Sequence, residues 1–517
     1  MSKPSWSTIF VFAVIAVMLV AINARPAFPD PDSFYHAKMS LMVRDHGFIH
    51  TFPWLQETVL RDNYVDPHLL YHVVLIPFVT IFDPLVGMKV SAVVFGLLAF
   101  FALYRLLRDM KSPHPEWITL AAAFSFDFLH RMSMPRAPSL SVAMLVLAVW
   151  AMYRGRWKTL FAVTVGFVWL YHGWAVIVAA YGCVAAGALV AKFRGQADAE
   201  FPVWKLGLAV AAGIAVGIVA NPYFPENVRF SYDTIVNIGI RETTSISVGA
   251  EWSSPNWALL FFWNLPAIQV FLLSAAIFFL ARKRGELDVG HPGARMAIAM
   301  VLLMLFFWVF AFRSIRYTEY LIPFVVIAAG STLAMAGKYL RGESVRLRRD
   351  LDGVFSRARG SPRAAAAIGI IVAALAVLVT VRGINYSVSK EARFKEAHYA
   401  GSADWVRENV PPGATVFNAL WDSSMIYFYL DDTHYYLVGL DPRFMYDKDA
   451  GRYDDWFDIQ AGRNPEVDRV VSEFRASAVL IDKRMIGGFV RNLDASPNFE
   501  KAYEDEWVMV YVPKKPV

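Results

Sequence analysis

The sequence predicts an α-helical polytopic membrane protein of about eleven transmembrane helices, followed by a smaller C-terminal α/β domain outside the bilayer. Three observations predict it. Hydrophobic residues make up 56% of the 517 positions and charged residues only 18%, with a mean hydropathy of +0.40, which is more apolar surface than a soluble core can bury. The apolar residues fall into runs long enough to span a membrane, separated by short basic segments. From about Tyr386 onward the composition turns polar and mixed.

The first run, Ile9–Ala24, has the look of a signal peptide, but no small-residue cleavage pattern follows it, so it reads as an uncleaved anchor. An outer loop over residues 25–85 comes next, and within it the short run Leu69–Phe82, interrupted by Tyr71, His72 and Pro77, reads as an interfacial helix. Spans are then expected over Val86–Tyr104, Trp117–Leu129, Pro138–Tyr153, Trp157–Tyr171 and Trp174–Ala191, the last two forming a hairpin broken at Tyr171-His172-Gly173-Trp174. Leu206–Ala220 leads into a long outer loop over residues 221–256, and Trp257–Ala281, Met296–Phe312, Tyr320–Gly337 and Ala364–Val381 complete the set. This arrangement puts Arg105/Arg108/Lys111, Arg154/Arg156/Lys158, Lys192/Arg194, Arg282/Lys283/Arg284 and the tract Lys338–Arg363 on the cytoplasmic side, as the positive-inside rule requires. The formal net charge of +6 is therefore loop charge, and no nucleic-acid partner is expected. The basic tract suits a solvated loop or a contact with anionic membrane lipid.

These choices divide the chain into a membrane part, residues 1–385, and an outer domain, residues 386–517. In the latter, Trp405–Asn409 belongs to a helix, and Thr415–Phe417, Tyr435–Val438, Ala478–Ile481 and Val508–Tyr511 read as strands. Helical stretches around Ser423–Leu430, Val467–Phe474 and Ile486–Leu493 lie between them. The single cysteine, Cys183, sits in an apolar run and forms no internal disulfide.

The outer segments concentrate the ionisable groups. Asp30-Pro31-Asp32-Ser33-Phe34-Tyr35-His36 follows the first span, and the same loop carries Glu57, Asp62, Asp66 and His68. Later outer loops carry His130, Arg131 and Arg136, then Tyr171 and His172, then Arg241, Glu242 and Glu251, and finally Arg313, Arg316 and Glu319. Carboxylates spaced like Asp30 and Asp32 suit a shared hard divalent cation or acid/base work, and arginines supply paired donors to phosphate oxygens. Each group also has a plain structural role open to it: Asp30 as a turn residue before Pro31, Arg313 and Arg316 as interfacial anchors, Glu251 beside Trp252 as an interfacial polar residue. His36, His68 and His172 lack clean zinc-ligand spacing. No Gly-rich phosphate loop, G-x-S-x-G elbow or C-x-x-C motif is present, which argues against a nucleotide-driven pump, an α/β-hydrolase and a thiol oxidoreductase.

The run Asp32-Ser33-Phe34-Tyr35-His36-Ala37-Lys38 resembles the first acidic motif of the catalytic subunit of oligosaccharyltransferase, a membrane glycosyltransferase of the GT-C type. The plan is similar as well: an acidic first outer loop, a long outer loop late in the helical part, and an outer α/β domain. The resemblance spans most of the chain as architecture but only a few short motifs as residues. It implies that Asp32, with Asp30 beside it and Asp66 in the same loop, acts as base or as ligand of a divalent cation (Mg or Mn). Glu251, at the end of Thr244-Ser245-Ile246-Ser247-Val248-Gly249-Ala250-Glu251, joins Asp32 and Asp30 as a metal-ligand candidate, with Glu242 in reserve. It further implies that Arg313 and Arg316, with Arg131 and Arg136, hold the phosphate of a polyprenyl-linked sugar donor. Trp421 and Asp422 resemble the acceptor-reading Trp-Trp-Asp motif, and Tyr35 and His36 are further acceptor-binding candidates. The expected location is a bacterial inner membrane, with the catalytic loops and the C-terminal domain in the periplasm.

Two departures bear on the function. Leu420 stands where that motif has its first tryptophan, and the stretch His130–Arg136, where a second acidic motif is expected, holds no carboxylate. Three readings stay open. One is oligosaccharyl transfer to protein. Another is a metal-independent GT-C reaction from a polyprenyl-monophosphate sugar to a lipid or polysaccharide. The third is a transporter or assembly protein without catalysis, for which the inverted repeats and midplane charges of transporters are missing.

Overall fold

A computed structural model of the chain describes residues 5–193, 201–241, 246, 249–288, 293–342, 374–385, 394–485 and 487–514. In chain order the helices are α1 (Trp6–Asn23), α2 (Asp32–His46), α3 (Leu69–Ile81), α4 (Pro84–Asp109), α5 (Pro115–Ala123), α6 (Phe126–Ser133), α7 (Pro138–Tyr153) and α8 (Trp157–Leu170). They continue with α9 (Ala175–Phe193), α10 (Val203–Val219), α11 (Glu226–Tyr232), α12 (Trp257–Trp263), α13 (Leu265–Lys283), α14 (Gly293–Arg313), α15 (Thr318–Met335) and α16 (Gly337–Gly342). Two compact units result: Met1–Ala24, Val90–Val219 and Glu251–Ser389 form the first, and Arg25–Lys89, Ala220–Ala250 and Lys390–Val517 form the second.

The first unit is a helical bundle built around one member. Of the stretch Ile315–Met335, 94% is buried, whereas only 28% of Ala175–Phe193 is, so α15 forms the centre and α9 presents its apolar side chains outward. Helices α13 and α14 pack along α15, and α5, α6 and α7 cross it. Small residues set the closest approaches: a Cβ at Gly330 would meet Leu107 Cδ2 at 2.3 Å, and one at Gly187 would meet the Arg295 carbonyl at 2.6 Å.

Two expected spans are broken. Trp117–Leu129 is not one helix: α5 stops at Ala123 and α6 starts at Phe126. Ser125 sits in the break, donating to the Ala121 carbonyl (3.1 Å) and accepting from Ala267 N–H at the head of α13 (3.2 Å). Trp257–Ala281 is likewise interrupted at Asn264, before Pro266. The Asn264 side chain donates to Asp127 Oδ2 (2.7 Å), so the two breaks brace each other. Pro135 lies in a third break, where α6 and α7 meet at 109°.

Among the described residues, six helices can cross a membrane by length and composition, or seven if α6 and α7 count as one bent span, with α8, α10 and Ala374–Asn385 among the shorter apolar helices. The expected eleven spans are therefore not reached on that measure. The last of them, Ala364–Val381, is described only from Ala374, and residues 343–363 of the basic tract and Glu242 lie outside the described residues. The hairpin between α8 and α9 is present, and the segment read as interfacial is the 13-residue helix α3.

The second unit carries a five-stranded sheet with order β2-β1-β3-β5-β4, where β1 is Thr415–Asn418, β2 Tyr435–Tyr436, β3 Ala476–Asp482, β4 Phe499–Glu504 and β5 Val508–Pro513. Strand β1 runs parallel to β2 and β3, and β5 pairs antiparallel with β3 and β4. The core on this sheet gathers Phe417, Leu437, Trp456, Val479, Phe489 and Tyr511 among others. Beyond β2 the ladder continues onto the segment between α2 and α3: Tyr436 N–H donates to the Trp54 carbonyl (2.8 Å), and Gln56 N–H to the Tyr436 carbonyl (2.8 Å). Helix α2 packs on α3 and on the helix Ser424–Leu430.

Candidate active site

In the first unit, helix ends bring three arginines onto one carboxylate. Arg131 lies in the last turn of α6, Arg136 in the break after it, and Arg316 just before α15. Glu251 Oε1 accepts from Arg316 Nη1 at 2.7 Å, while Oε2 accepts from Arg131 Nη1 at 2.6 Å and lies 3.5 Å from Arg136 Nη1. A second carboxylate, Glu319, is fully buried and takes Arg131 Nε and Nη2 at 2.9 and 2.6 Å. Arg316 Nη2 donates to the Tyr171 hydroxyl (2.5 Å), and its guanidinium stacks 4.6 Å from the Trp252 ring centre.

Backbone bonds fix this layout. Ser314 Oγ donates to the Glu251 carbonyl (2.8 Å), Ile315 N–H to the Ser253 carbonyl (3.2 Å), and Ser254 Oγ to the Arg313 carbonyl (3.0 Å). Arg313 itself is exposed beside the cluster. Burial alone would raise the Glu251 carboxyl, but Arg316, Arg136 and Arg131 overcome it and hold the group far below the usual carboxylate range. Burial, with Arg316 next, pushes His172 down to about 3, so its ring is neutral and adds no charge.

In the second unit the acidic motif opens α2. Asp32 occupies the first turn, where a negative charge meets the positive helix end. Asp30 Oδ1 accepts from Ser33 N–H (3.2 Å) and Ser33 Oγ (3.3 Å), so Asp30 closes the turn that presents Asp32. One turn on, a buried chain runs through three side chains. Asp66 Oδ2 lies 2.6 Å from His72 Nδ1, and His72 Nε2 lies 2.7 Å from His36 Nδ1. Asp66 Oδ1 also accepts from His68 N–H (2.9 Å). The carboxylate can only accept, so His72 turns Nδ1–H toward it. Tyr35 and Tyr64 share a hydroxyl–hydroxyl bond beside this chain. Burial, then Asp66, keep the Tyr35 phenol well above its ordinary pKa.

Trp421 and Asp422 lie in the turn between β1 and the helix Ser424–Leu430. Trp421 is half-buried against the sheet core, and its carbonyl accepts from Ser424 Oγ (2.7 Å).

The structure thus brings Arg131, Arg136, Arg316 and Glu251 together, and separately ties His36 to Asp66. Sequence reading missed four participants. The sequence places His72 only in a short apolar helix, although His68 and His72 are spaced four apart downstream of Asp66. Glu319 and Tyr171 read in the sequence only as polar residues at span ends. For Asp441 the available signal is the Asp-Pro pair after Leu440, which adopts φ +64°. Burial pushes the Asp441 carboxyl up to about 6 against the Arg443 backbone N–H, and the charge of Asp32 acts in the same direction as burial.

Among the described residues, no group of three or more His, Cys, Asp or Glu side chains is arranged to hold a metal ion. Of the carboxylates expected as ligands, Glu251 turns both oxygens to guanidinium groups, and Asp30 Oδ1 accepts from Ser33.

No protein-family model and no curated protein matches the chain. Solved structures share its fold. The archaeal oligosaccharyltransferase AglB from Archaeoglobus fulgidus, in complex with an inhibitory peptide and a dolichol-phosphate, matches with a TM-score of 0.59 at 14% identity, over 93% of this chain and 70% of that one. ArnT from Cupriavidus metallidurans, bound to undecaprenyl phosphate, gives 0.53 at 15% identity over 97% of both chains. The arabinofuranosyltransferase AftD from Mycobacteria gives 0.53 at 13% identity, covering 99% of this chain and 40% of that one. All three are GT-C glycosyltransferases, and the chain has their fold: a multi-pass helical membrane part with a small C-terminal sheet domain.

Proposed function

We propose that the chain is a membrane glycosyltransferase that moves a sugar from a polyprenyl-phosphate-linked donor to an acceptor on the outer face of a bacterial inner membrane. The observation that carries this reading is the convergence of Arg131, Arg136 and Arg316 at the ends of apolar helices. Fixed guanidinium groups beside a bilayer suit the anionic headgroup of a lipid whose tail stays among the apolar helices. The fold neighbours solved with dolichol-phosphate and undecaprenyl phosphate support the same donor class.

In the proposed reaction, an acceptor oxygen or nitrogen forms a bond to the anomeric carbon as the bond from that carbon to the phosphate oxygen breaks. The bonding pair leaves on the phosphate, where the arginines stabilise the growing charge, and the acceptor's proton passes to the Asp32 carboxylate. Trp421 and Asp422 are assigned to the acceptor, while Tyr35 and His36, first expected there too, are buried against Tyr64 and His72 and back the helix that carries Asp32. The engagement of Glu251 by arginines and the basic stretch His130–Arg136 favour the metal-independent form of this chemistry, with a lipid or glycan acceptor, over peptide glycosylation.

The test is transfer from a labelled polyprenyl-phosphate sugar in native membranes, with and without EDTA, comparing wild type with Asp32→Ala. We expect activity to survive EDTA and to fall roughly 10²–10⁴-fold in the variant. Activity retained by Asp32→Ala would sink the assignment of the base, and loss of activity in EDTA would return the reaction to a cation-dependent, oligosaccharyltransferase-like course.

A further inference from the structure

We infer that the carboxylate of Glu251 holds the place of the donor phosphate, and that the phosphate binds by displacing it from Arg131, Arg136 and Arg316. This rests on the reading of the arginine cluster as a phosphate site and adds how that site is kept and filled.

Four features carry it. First, the arginines have anchors of their own. Glu319 grips Arg131 through two hydrogen bonds, and Tyr171 holds Arg316 at 2.5 Å, so two of the guanidinium groups stay aimed when Glu251 leaves. Second, the two carboxylates are not equally fixed. The Glu319 side chain is fully buried, whereas that of Glu251 retains 20% exposure. Third, the Glu251 backbone is tethered by Ser314 and its neighbour Ser253 by Ile315, so a side-chain rotation is enough to vacate the position.

The fourth feature is charge. Three arginines against Glu319 leave two positive charges in excess, and Glu251 reduces the excess to one. A phosphodiester donor brings one negative charge, the same as the carboxylate it replaces. When its sugar departs, the phosphomonoester left behind approaches two, which neutralises the cluster. The cluster therefore matches the leaving group better than the donor, the condition for accelerating the chemical step rather than merely tightening substrate binding. A carboxylate offers two oxygens to three guanidinium groups, as the phosphodiester does, whereas the phosphomonoester left behind offers three.

The test measures binding of undecaprenyl phosphate to the purified full-length chain in nanodiscs, with inorganic phosphate as competitor, for wild type, Glu251→Gln, Glu251→Asp and Arg316→Gln. Removal of the competing carboxylate should tighten binding about tenfold in Glu251→Gln. Glu251→Asp, whose shorter arm reaches the arginines less well, should fall between and guards against a folding defect in the first variant. The inhibition constant of inorganic phosphate should drop by the same factor, because the exchange concerns the headgroup. Binding that is unchanged or weaker in both Glu251 variants, while Arg316→Gln still weakens it, overturns the displacement and leaves the phosphate site standing. A gain confined to the lipid overturns it too, since it would come from the tail. Undiminished binding by Arg316→Gln would remove the phosphate site itself.

Discussion

The arginine cluster beside α15 and the histidine chain beside α2 are both buried polar networks, held by opposite means. In the first, full charges compensate each other at 2.6–2.9 Å, and neither sign is tolerable there alone. In the second, one carboxylate passes its bonds through two imidazoles, with a tyrosine pair beside them. A charge-compensated network can exchange one anion for another. A chain with set tautomers cannot; it fixes geometry instead. The difference suits phosphate handling in one unit and the presentation of Asp32, one turn before His36, in the other.

Removing one partner should separate the two networks most sharply. Glu319→Ala leaves Arg131 short of its buried counter-charge, and we expect a loss of about 3–5 kcal/mol in stability, read as the largest fall in thermal midpoint among these variants in detergent. Arg316→Gln keeps the shape of the cluster but removes a charge. Transfer should fall about 10²–10³-fold, equivalent to roughly 3–4 kcal/mol, chiefly in kcat in a steady-state assay. His72→Ala breaks the histidine chain and should cost about 1–3 kcal/mol, with His36→Ala adding little to it in a double-mutant cycle. Additive losses would show that the two imidazoles do not work as one chain.

The smallest effect tests the surroundings of Asp32. Folding raises the Asp441 carboxyl from 3.8 to about 6, so ionising it opposes folding. The penalty is absent below about pH 4 and complete above about pH 6. Asp441→Asn keeps an acceptor for the Arg443 N–H and should stabilise the chain by about 2 kcal/mol at pH 7.5 and not at pH 3.5, measured by denaturant unfolding at both pH values. Equal stability of the two proteins at pH 7.5 would argue that Asp441 is well solvated.

Much of the fold was legible because it depends on composition. Long apolar runs and basic loops survive any rearrangement of side chains, and β1, β2, β3 and β5 announced themselves as short apolar stretches. Strand β4 was missed because Phe499 is its only buried residue; an edge strand with one anchor has no alternation to read. The break at Ser125 is not legible because it is stabilised from the other helix, through Ala267 N–H and the Asn264–Asp127 bond, and contacts far apart in sequence leave no local mark, whereas the break at Asn264 does leave one in Pro266. The same limit applied to the site. Arg131, Arg316 and Glu251 could be nominated as charged residues at span ends, but their convergence, and the service of Glu319 beneath them, exist only in three dimensions. Asp66 looked like a free acid in the sequence and is in fact the anchor of His72.

The pairing of Trp54–Gln56 with Tyr436 has a consequence for how the protein is made. Some 380 residues separate the two partners, so the outer loop emerges from synthesis long before the strand it will complete. Until then, β2's future neighbour is an unsatisfied edge, and the C-terminal sheet in turn has an open flank until it finds that loop. Ordering follows for biogenesis: the loop is already made when the last quarter of the chain arrives, and docking closes a very long loop at a late stage. A fragment comprising only residues 390–517 would carry that bare flank permanently. Its self-association, set against the behaviour of the full chain, would report how much the first loop contributes as a built-in chaperone for the last domain.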